Sequence, residues 1–414
     1  MTDRVIAIDA VRGFAVCGIL VMNVVAMGLP LGAYVDPNVA GGARGADLAA
    51  WALAYVLADG KMRALFSMLF GASLLIVTDA AEGRTPGPAR THYARMGWLF
   101  AFGMLHAWLV WYGDILVEYA LCGAILFVAR RWPPAALGYA ALLLLGWEVA
   151  RNLIQWGDLA ALHILATGPG APPDAVRAWG DILDWARSGG GTAAGELRLY
   201  RGGFADVFAI RASMTAMIQF RFMPFWLPAT LGFMALGMLL YRVGFWTIGW
   251  SVRAYWIAVV AGLCALALHV PLAQLQIARG FDPVTRPLAE ALGMVLRPFA
   301  ALGYAAALIL LVRARGGGAL VERLAAAGRM AFSNYLGTSL IVTTLFYGYG
   351  LGLFGQVSRA QLYWIVAGQW CLILGWSKPW LARFRYGPLE WLWRSLARGR
   401  LQPIRIGPPA SRPQ

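Results

Sequence analysis

The chain has 414 residues, of which 60% are hydrophobic and only 13% charged, and its mean hydropathy is +0.62. A soluble domain carries about twice that charged fraction, so the composition excludes one and indicates an integral membrane protein. The net charge of +15 does not indicate nucleic-acid binding, because the arginines lie between apolar runs and not in a basic domain with interleaved stacking aromatics; that placement is the trace of membrane topology and of contact with anionic lipids.

Apolar runs of about 20 residues recur from end to end, long enough to cross a bilayer as helices and too continuous for barrel strands. They predict an all-α polytopic bundle of about ten transmembrane helices, at 13–31, 62–79, 96–112, 114–129, 134–153, 223–241, 254–271, 288–311, 331–350 and 360–377. The apolar core "GFAVCGILVMNVVAMGLPLGA" is longer than the core of a signal peptide and reads as a retained first helix. The tail from Lys378 holds Lys378, Arg383, Arg385, Arg394, Arg398, Arg400, Arg405 and Arg412 against one acid, Glu390, which by the positive-inside rule puts the C-terminus in the cytoplasm. The loops with Arg84, Arg90 and Arg95, with Arg130 and Arg131, with Arg242 and Arg253, and with Arg313, Arg315, Arg323 and Arg329 fall on that side too, as does the N-terminus. The chain is expected to cross its membrane many times.

This count requires 156–222 to lie wholly outside, between a five-helix half at 1–155 and a second five-helix half, with its basic tail, at 223–414. Within it, "APPDAVRAWGDILDWARSGGG" predicts an interfacial amphipathic helix. "FADVFAIRASMTAMIQF", which carries Asp206 and Arg211, predicts an interfacial or re-entrant piece. The stretch "ARGGGAL" at 314–320 reads as a flexible inner loop. The four cysteines stand singly in separate apolar runs, and the histidines lack the spacing of metal or haem ligands.

Ionisable groups inside spans are the informative ones. "GMLHAWLVWYGDILVEYALCG" places His106 on an outgoing helix and Asp114 and Glu118 after a tight outer turn. At ~1.5 Å per residue His106 and Glu118 share a depth of ~8–10 Å below that turn. A histidine oriented by a carboxylate is a general-base arrangement, a proton relay, or only a pair that neutralises itself. In "AIDAVRGFAVCGILVMNVV", Asp9 and Arg12 form an i, i+3 pair at the helix start, and Asn23 is a deep amide in need of partners. Glu290 and Arg297 share a helical face, as do Asn334 and Thr338; they read as an ion pair and a helix–helix hydrogen bond, or as walls of a substrate path.

The first helix, "LFSMLFGASL", "HAWLVWYGDILVEYALCG", "AAAGRMAFSNYLGTSLIVTTLFYGYGLGLFGQVSRAQ" and "FRYGPLEWLWRSL" resemble the YeiB-like bacterial inner-membrane proteins, whose C-terminal half is domain of unknown function 418, over nearly the whole chain. More distantly, "IDAVRGFAVCGILVMN" is similar to the "LDxLRGxA…H" first helix of the polysaccharide O-acetylating membrane acyltransferases, and to the start of the heparan-glucosaminide acetyltransferase type. This second resemblance implies transfer of an acyl group from cytoplasmic acyl-CoA, acetyl-CoA first, to a glycan, lipid or small-molecule acceptor on the far side. Asn23 stands where the polysaccharide enzymes have the histidine that ends the motif. The resemblance therefore implies His106 as substitute base or acyl acceptor, Asp114 or Glu118 as its orienter, and Asn23 as a hydrogen-bond donor to the oxyanion or the substrate. Asp9, Arg12, Arg63, Glu290, Arg297 and Asn334 are the candidates for donor or substrate contact. Two other readings stay open: a transporter or exporter with a His/Glu proton path, and a structural membrane protein with no turnover. Transporters tend to pair similar halves and to break helices at mid-membrane, and the sequence displays neither. Membrane lipids are the expected surroundings, and self-association stays open.

Overall fold

A computed structural model of the protein describes residues 3–188, 193–315 and 318–406. Arg412 and residues 316–317 of the "ARGGGAL" loop lie outside the described residues. The helices are, in chain order, α1 (Asp3–Gly28), α2 (Gly45–Leu57), α3 (Lys61–Ala81), α4 (Pro88–Leu109), α5 (Leu116–Leu126), α6 (Pro134–Thr167), α7 (Pro173–Ser188) and α8 (Ala193–Tyr200). They continue as α9 (Phe204–Ala216), α10 (Met223–Arg242), α11 (Val252–Ala278), α12 (Thr285–Arg315), α13 (Ala319–Arg329), α14 (Ala331–Phe346), α15 (Arg359–Arg383) and α16 (Pro388–Arg398).

Six helical stretches among the described residues are long and apolar enough to cross a membrane, at Ile6–Gly28, Gly45–Ala81, Pro134–Thr167, Phe204–Arg242, Val252–Ala278 and Thr285–Ala314. Six of the expected ten spans fall in these stretches, and the other four, at 96–112, 114–129, 331–350 and 360–377, do not. α5 and α14 have 11 and 16 residues, which at ~1.5 Å per residue fall short of a ~30 Å hydrocarbon core. α4 and α15 are long enough but interrupted by His92, Arg95 and His106, and by Gln369 and Lys378. α6 runs well past the predicted end of its span, whereas α7 lies over the predicted interfacial segment. α9 joins α10 through a wide turn at Met217–Phe222, and its Arg211 donates to the Trp108 carbonyl at 3.0 Å. It thus packs beside the α4 terminus as a bent forerunner of α10.

Small residues let the backbones meet. A Cβ on Gly71 of α3 would lie 1.9 Å from the Met234 carbonyl oxygen, and one on Gly237 of α10 would lie 1.9 Å from that of Met68. α1 and α13 cross in the same way, through Gly13 against Leu324 and Gly328 against Asp9. Where lipid tails remove the hydrophobic drive for association, such close contact is what holds helices together.

The bundle has two chemically distinct ends. At the basic end, Arg131 pairs with Glu82 at 2.6 Å, Arg242 donates to the Arg130 carbonyl at 2.7 Å, Arg313 to that of Trp250 and Arg329 to that of Arg385. The basic loops predicted to share a side do meet. At the opposite end, the Gly355 N–H donates to the Gly28 carbonyl, Arg359 to the Ala33 carbonyl and the Leu31 N–H to Glu196.

Candidate functional site

A helix broken inside the bundle organises the site. α2 and α3 form one apolar stretch interrupted at Ala58–Gly60, where Gly60 takes a left-handed φ of 70°. A Cβ there would lie 2.2 Å from Arg297 Nε, so glycine is needed both for the turn and for the arginine against it. Arg297 is 12 residues into α12, about 18 Å from its cavity-end start at 1.5 Å per residue. The break therefore sits deep in the bundle. The sequence reading found no broken helix, because "LADGKMRAL" carries only one glycine and no proline to mark the interruption.

Above the break lies a cavity of about 760 Å³. Asn23 of α1, Arg63 of α3, Asp114 from the α4–α5 loop, Glu118 of α5, and Glu290 and Arg297 of α12 all line it. Six of the ten residues singled out from the sequence thus converge on one space, from segments up to 274 positions apart in the chain. The site also contains groups that the sequence reading missed. Asp59, Glu148 and Arg151 line the cavity, and the two members of the Glu148–Arg151 pair are bonded to each other. Asp59 and Arg63 have no side-chain hydrogen bond or ion pair among the described residues. Asp59 lies within electrostatic reach of Glu290, Arg297, Lys61 and Arg63. Nearer the mouth, burial pushes the Asp36 carboxyl above its ordinary range despite the Asn38 backbone and amide N–H groups that favour its anion.

Glu290 accepts from Arg297 at 2.6 Å. The Arg297 side chain is only 8% exposed, whereas that of Glu290 keeps 31% because it faces the cavity. Arg297 Nε is buried without a partner among the described residues. The predicted ion pair is present, and it stands at the cavity floor.

His106 is held by one of the two expected carboxylates. Its Nδ1 donates to Asp114 Oδ2 at 2.7 Å, and Asp114 Oδ1 accepts from the Val117 N–H at 3.0 Å. Asp114 is therefore the orienting carboxylate; Glu118 instead accepts from the Thr230 hydroxyl. Asp114 precedes α5 and caps its first turn, so it does not share a helical face with Glu118 as expected. His106 does not line the large cavity. Its ring packs 5.4 Å from that of Tyr335, and Nε2 is buried without a partner among the described residues. It lines a small apolar pocket with Phe102, Leu109 and Leu336. Chemically this is an imidazole held behind a cavity-wall carboxylate, not one presented to a substrate.

Three further candidates lie away from the cavity. Asp9 and Arg12 pair at 2.7 Å at the basic end, where Arg12 also donates to Ser73 Oγ. Asn334 donates to the Ala327 carbonyl and Ser377 Oγ and accepts from Trp376 Nε1, which makes it a junction between α13, α14 and α15.

A family profile described as "Protein of unknown function (DUF418)" matches residues 222–400. The chain is 32% identical to YeiB of Escherichia coli (strain K12) over 95% of its own length and 96% of the relative's. It is 27% identical to YxaH of Bacillus subtilis (strain 168) over 97% and 96%. The chain belongs to the YeiB-like DUF418 family. A 39.9 kDa protein from the amylase 3' region of Bacillus acidopullulyticus is 23% identical over 98% of this chain and 96% of its own. No solved structure matches. The matched DUF418 segment supplies Glu290 and Arg297, while Asn23, Asp59, Arg63, Asp114 and Glu118 precede it; the cavity is thus assembled from both parts of a YeiB-like chain.

Proposed function

We propose that the chain is an acyltransferase of the bacterial inner membrane, with both termini in the cytoplasm, whose acceptor enters the cavity from the far side. The observation that carries this reading is the convergence of Asn23, Arg63, Asp114 and Glu118 on one cavity, with His106 fixed behind Asp114. In this reading an acceptor hydroxyl gives its proton to Glu118 or Asp114 as its oxygen attacks the thioester carbonyl of acyl-CoA. The Asn23 amide donates to the oxyanion, and the CoA thiolate departs and takes up a proton. Arg63 holds an anionic part of the substrate. His106 acts as a positioning residue that fixes the Asp114 carboxylate, instead of as the base expected from the sequence.

The test is the thermal stability of purified protein in detergent with acetyl-CoA and longer acyl-CoAs, with free CoA as control. Stabilisation that needs the acyl group and weakens in Asn23→Ala and Glu118→Gln supports the reading; no acyl-dependent shift refutes it. A second reading, a carrier for a polar solute, is favoured by the break at Ala58–Gly60 on the cavity floor, since discontinuous helices with charged groups mark the binding sites of transporters. Solute flux in proteoliposomes that is lost in Arg63→Gln, without any acyl-CoA effect, would select it.

A further inference from the structure

We infer that the basic end carries a binding site for a phosphate group, built from Arg12, Arg95, Arg394 and Arg398. Distinct from the cavity and independent of the proposed function, it rests on how these side chains are held. α16 packs across the start of α4, and Trp393 Nε1 donates to the Arg95 carbonyl at 2.9 Å. The Arg95 guanidinium lies over the Trp393 ring, 4.2 Å from its centre, and the Arg394 guanidinium over Tyr386 at 4.7 Å. Ring stacking uses the face of a guanidinium and leaves its N–H fork free in the plane. Neither fork donates a hydrogen bond among the described residues, so two planar forks are pre-oriented without an acceptor.

Charge strengthens the case. Arg95 lies within electrostatic reach of Arg394, Arg398 and Arg12, and Asp9 within reach of Arg12, Arg329 and Arg394. The two acids within electrostatic reach of Arg394 are both engaged: Asp9 by Arg12 at 2.7 Å, and Glu390 by the Phe332 N–H at 2.7 Å, the Ser333 N–H at 3.0 Å and the Ser333 hydroxyl at 2.5 Å, while Arg398 donates to the Gln402 side-chain carbonyl at 2.6 Å and keeps its charge. Burial, Arg398 and Arg12 all push the Arg394 guanidinium below its ordinary value, against the opposing Tyr386 and Glu390. Arginines within electrostatic reach of one another repel, and the fold holds them there at a cost that a bound dianion relieves. Of the common anions, phosphate matches the forks best, because each fork can take two of its oxygens. The group could come from an anionic lipid of the adjoining leaflet or from a soluble phosphate compound; both present the same oxygens.

The experiment measures thermal stability of the purified full chain against dihexanoyl phosphatidylglycerol, dihexanoyl phosphatidylcholine and inorganic pyrophosphate, in wild type, Arg95→Gln, Arg394→Gln and Arg394→Lys. Both glutamine variants should weaken the anion response about tenfold or more, the worth of a charge-assisted hydrogen bond. Arg394→Lys, which keeps the charge and loses the fork, should weaken it less. Without anion, Arg394→Gln should be as stable as wild type or more so, since it relieves repulsion; a purely structural arginine would show a loss instead. A response to phosphatidylglycerol above phosphatidylcholine assigns a lipid headgroup, and one to pyrophosphate alone assigns a soluble ligand. The inference is overturned if no anion stabilises the wild type, or if folded Arg394→Gln responds as the wild type does.

Discussion

Removing the charge of Arg297 tests the geometry of the cavity floor. Arg297→Met keeps the aliphatic stem and strands two carboxylates, Glu290 and Asp59, at the α2–α3 break. Opposite charges ~4 Å apart attract by about 4 kcal/mol at an effective dielectric of 20. The 31% exposure of Glu290 to the cavity screens part of that, so the expected loss is about 2–3 kcal/mol, below the range for fully buried pairs. Glu290→Gln should cost less, about 1–2 kcal/mol, because Arg297 keeps Asp59 as a counter-charge. The double variant should be more stable than Arg297→Met alone, since one stranded carboxylate has been neutralised. Apparent Tm in detergent, followed by intrinsic fluorescence, reads these as shifts of a few degrees. An Arg297→Met protein as stable as wild type, or a double variant no better than that single one, would refute the reasoning.

A double-mutant cycle by the same measure should find coupling of about 1–3 kcal/mol between His106→Ala and Asp114→Asn and almost none between His106→Ala and Glu118→Gln, because only the first pair is bonded; the reverse pattern would make Glu118 the orienting carboxylate and refute the assignment of Asp114. Gly71→Val and Gly237→Val should destabilise the α3–α10 crossing by several kcal/mol or prevent assembly, while Gly97→Ala, with nothing within 4 Å of its new Cβ, should be neutral or slightly stabilising. Glu196 is 2% exposed, and burial raises its carboxyl from 4.5 to about 7, against the Leu31 N–H that lowers it. The folded chain then holds a proton between about 4.5 and about 7 that the unfolded chain has lost, so stability should fall as pH rises across that window, by about 3 kcal/mol at most. Glu196→Gln should flatten this dependence in melts from pH 4.5 to 8; a wild type whose stability rises over that range would contradict it.

Local patterns were legible where the physics is local. Asp9–Arg12 and Glu290–Arg297 follow from three- and seven-residue helical spacing, and both pairs form. α7 was readable from its proline start and its apolar and polar faces. The shorter helices were not. α2 merges with α3 into one apolar run, and α13 and α16 alternate charge with apolar residues in ways that span length does not register. Pairing between neighbouring helices was harder still. His106 could reach either carboxylate by depth alone, and the choice depended on Asp114 capping α5 while Thr230, from α10, occupied Glu118.

Composition and hydropathy by themselves determined that this is an α-helical membrane chain, because only helices and closed barrels satisfy a backbone in lipid and its apolar runs are too long and continuous for barrel strands. Charge placement determined which loops would gather at one end, because excess arginine cannot be left between apolar spans without a common aqueous face. Only the tertiary structure decided where the chemistry lies. The cavity is a volume between α1, α3, α5, α6 and α12, and its floor exists because Gly60 interrupts a helix directly beneath an arginine 237 residues further along the chain. Such a contact has no period and no spacing in the sequence; it follows from which helices cross, and at what depth.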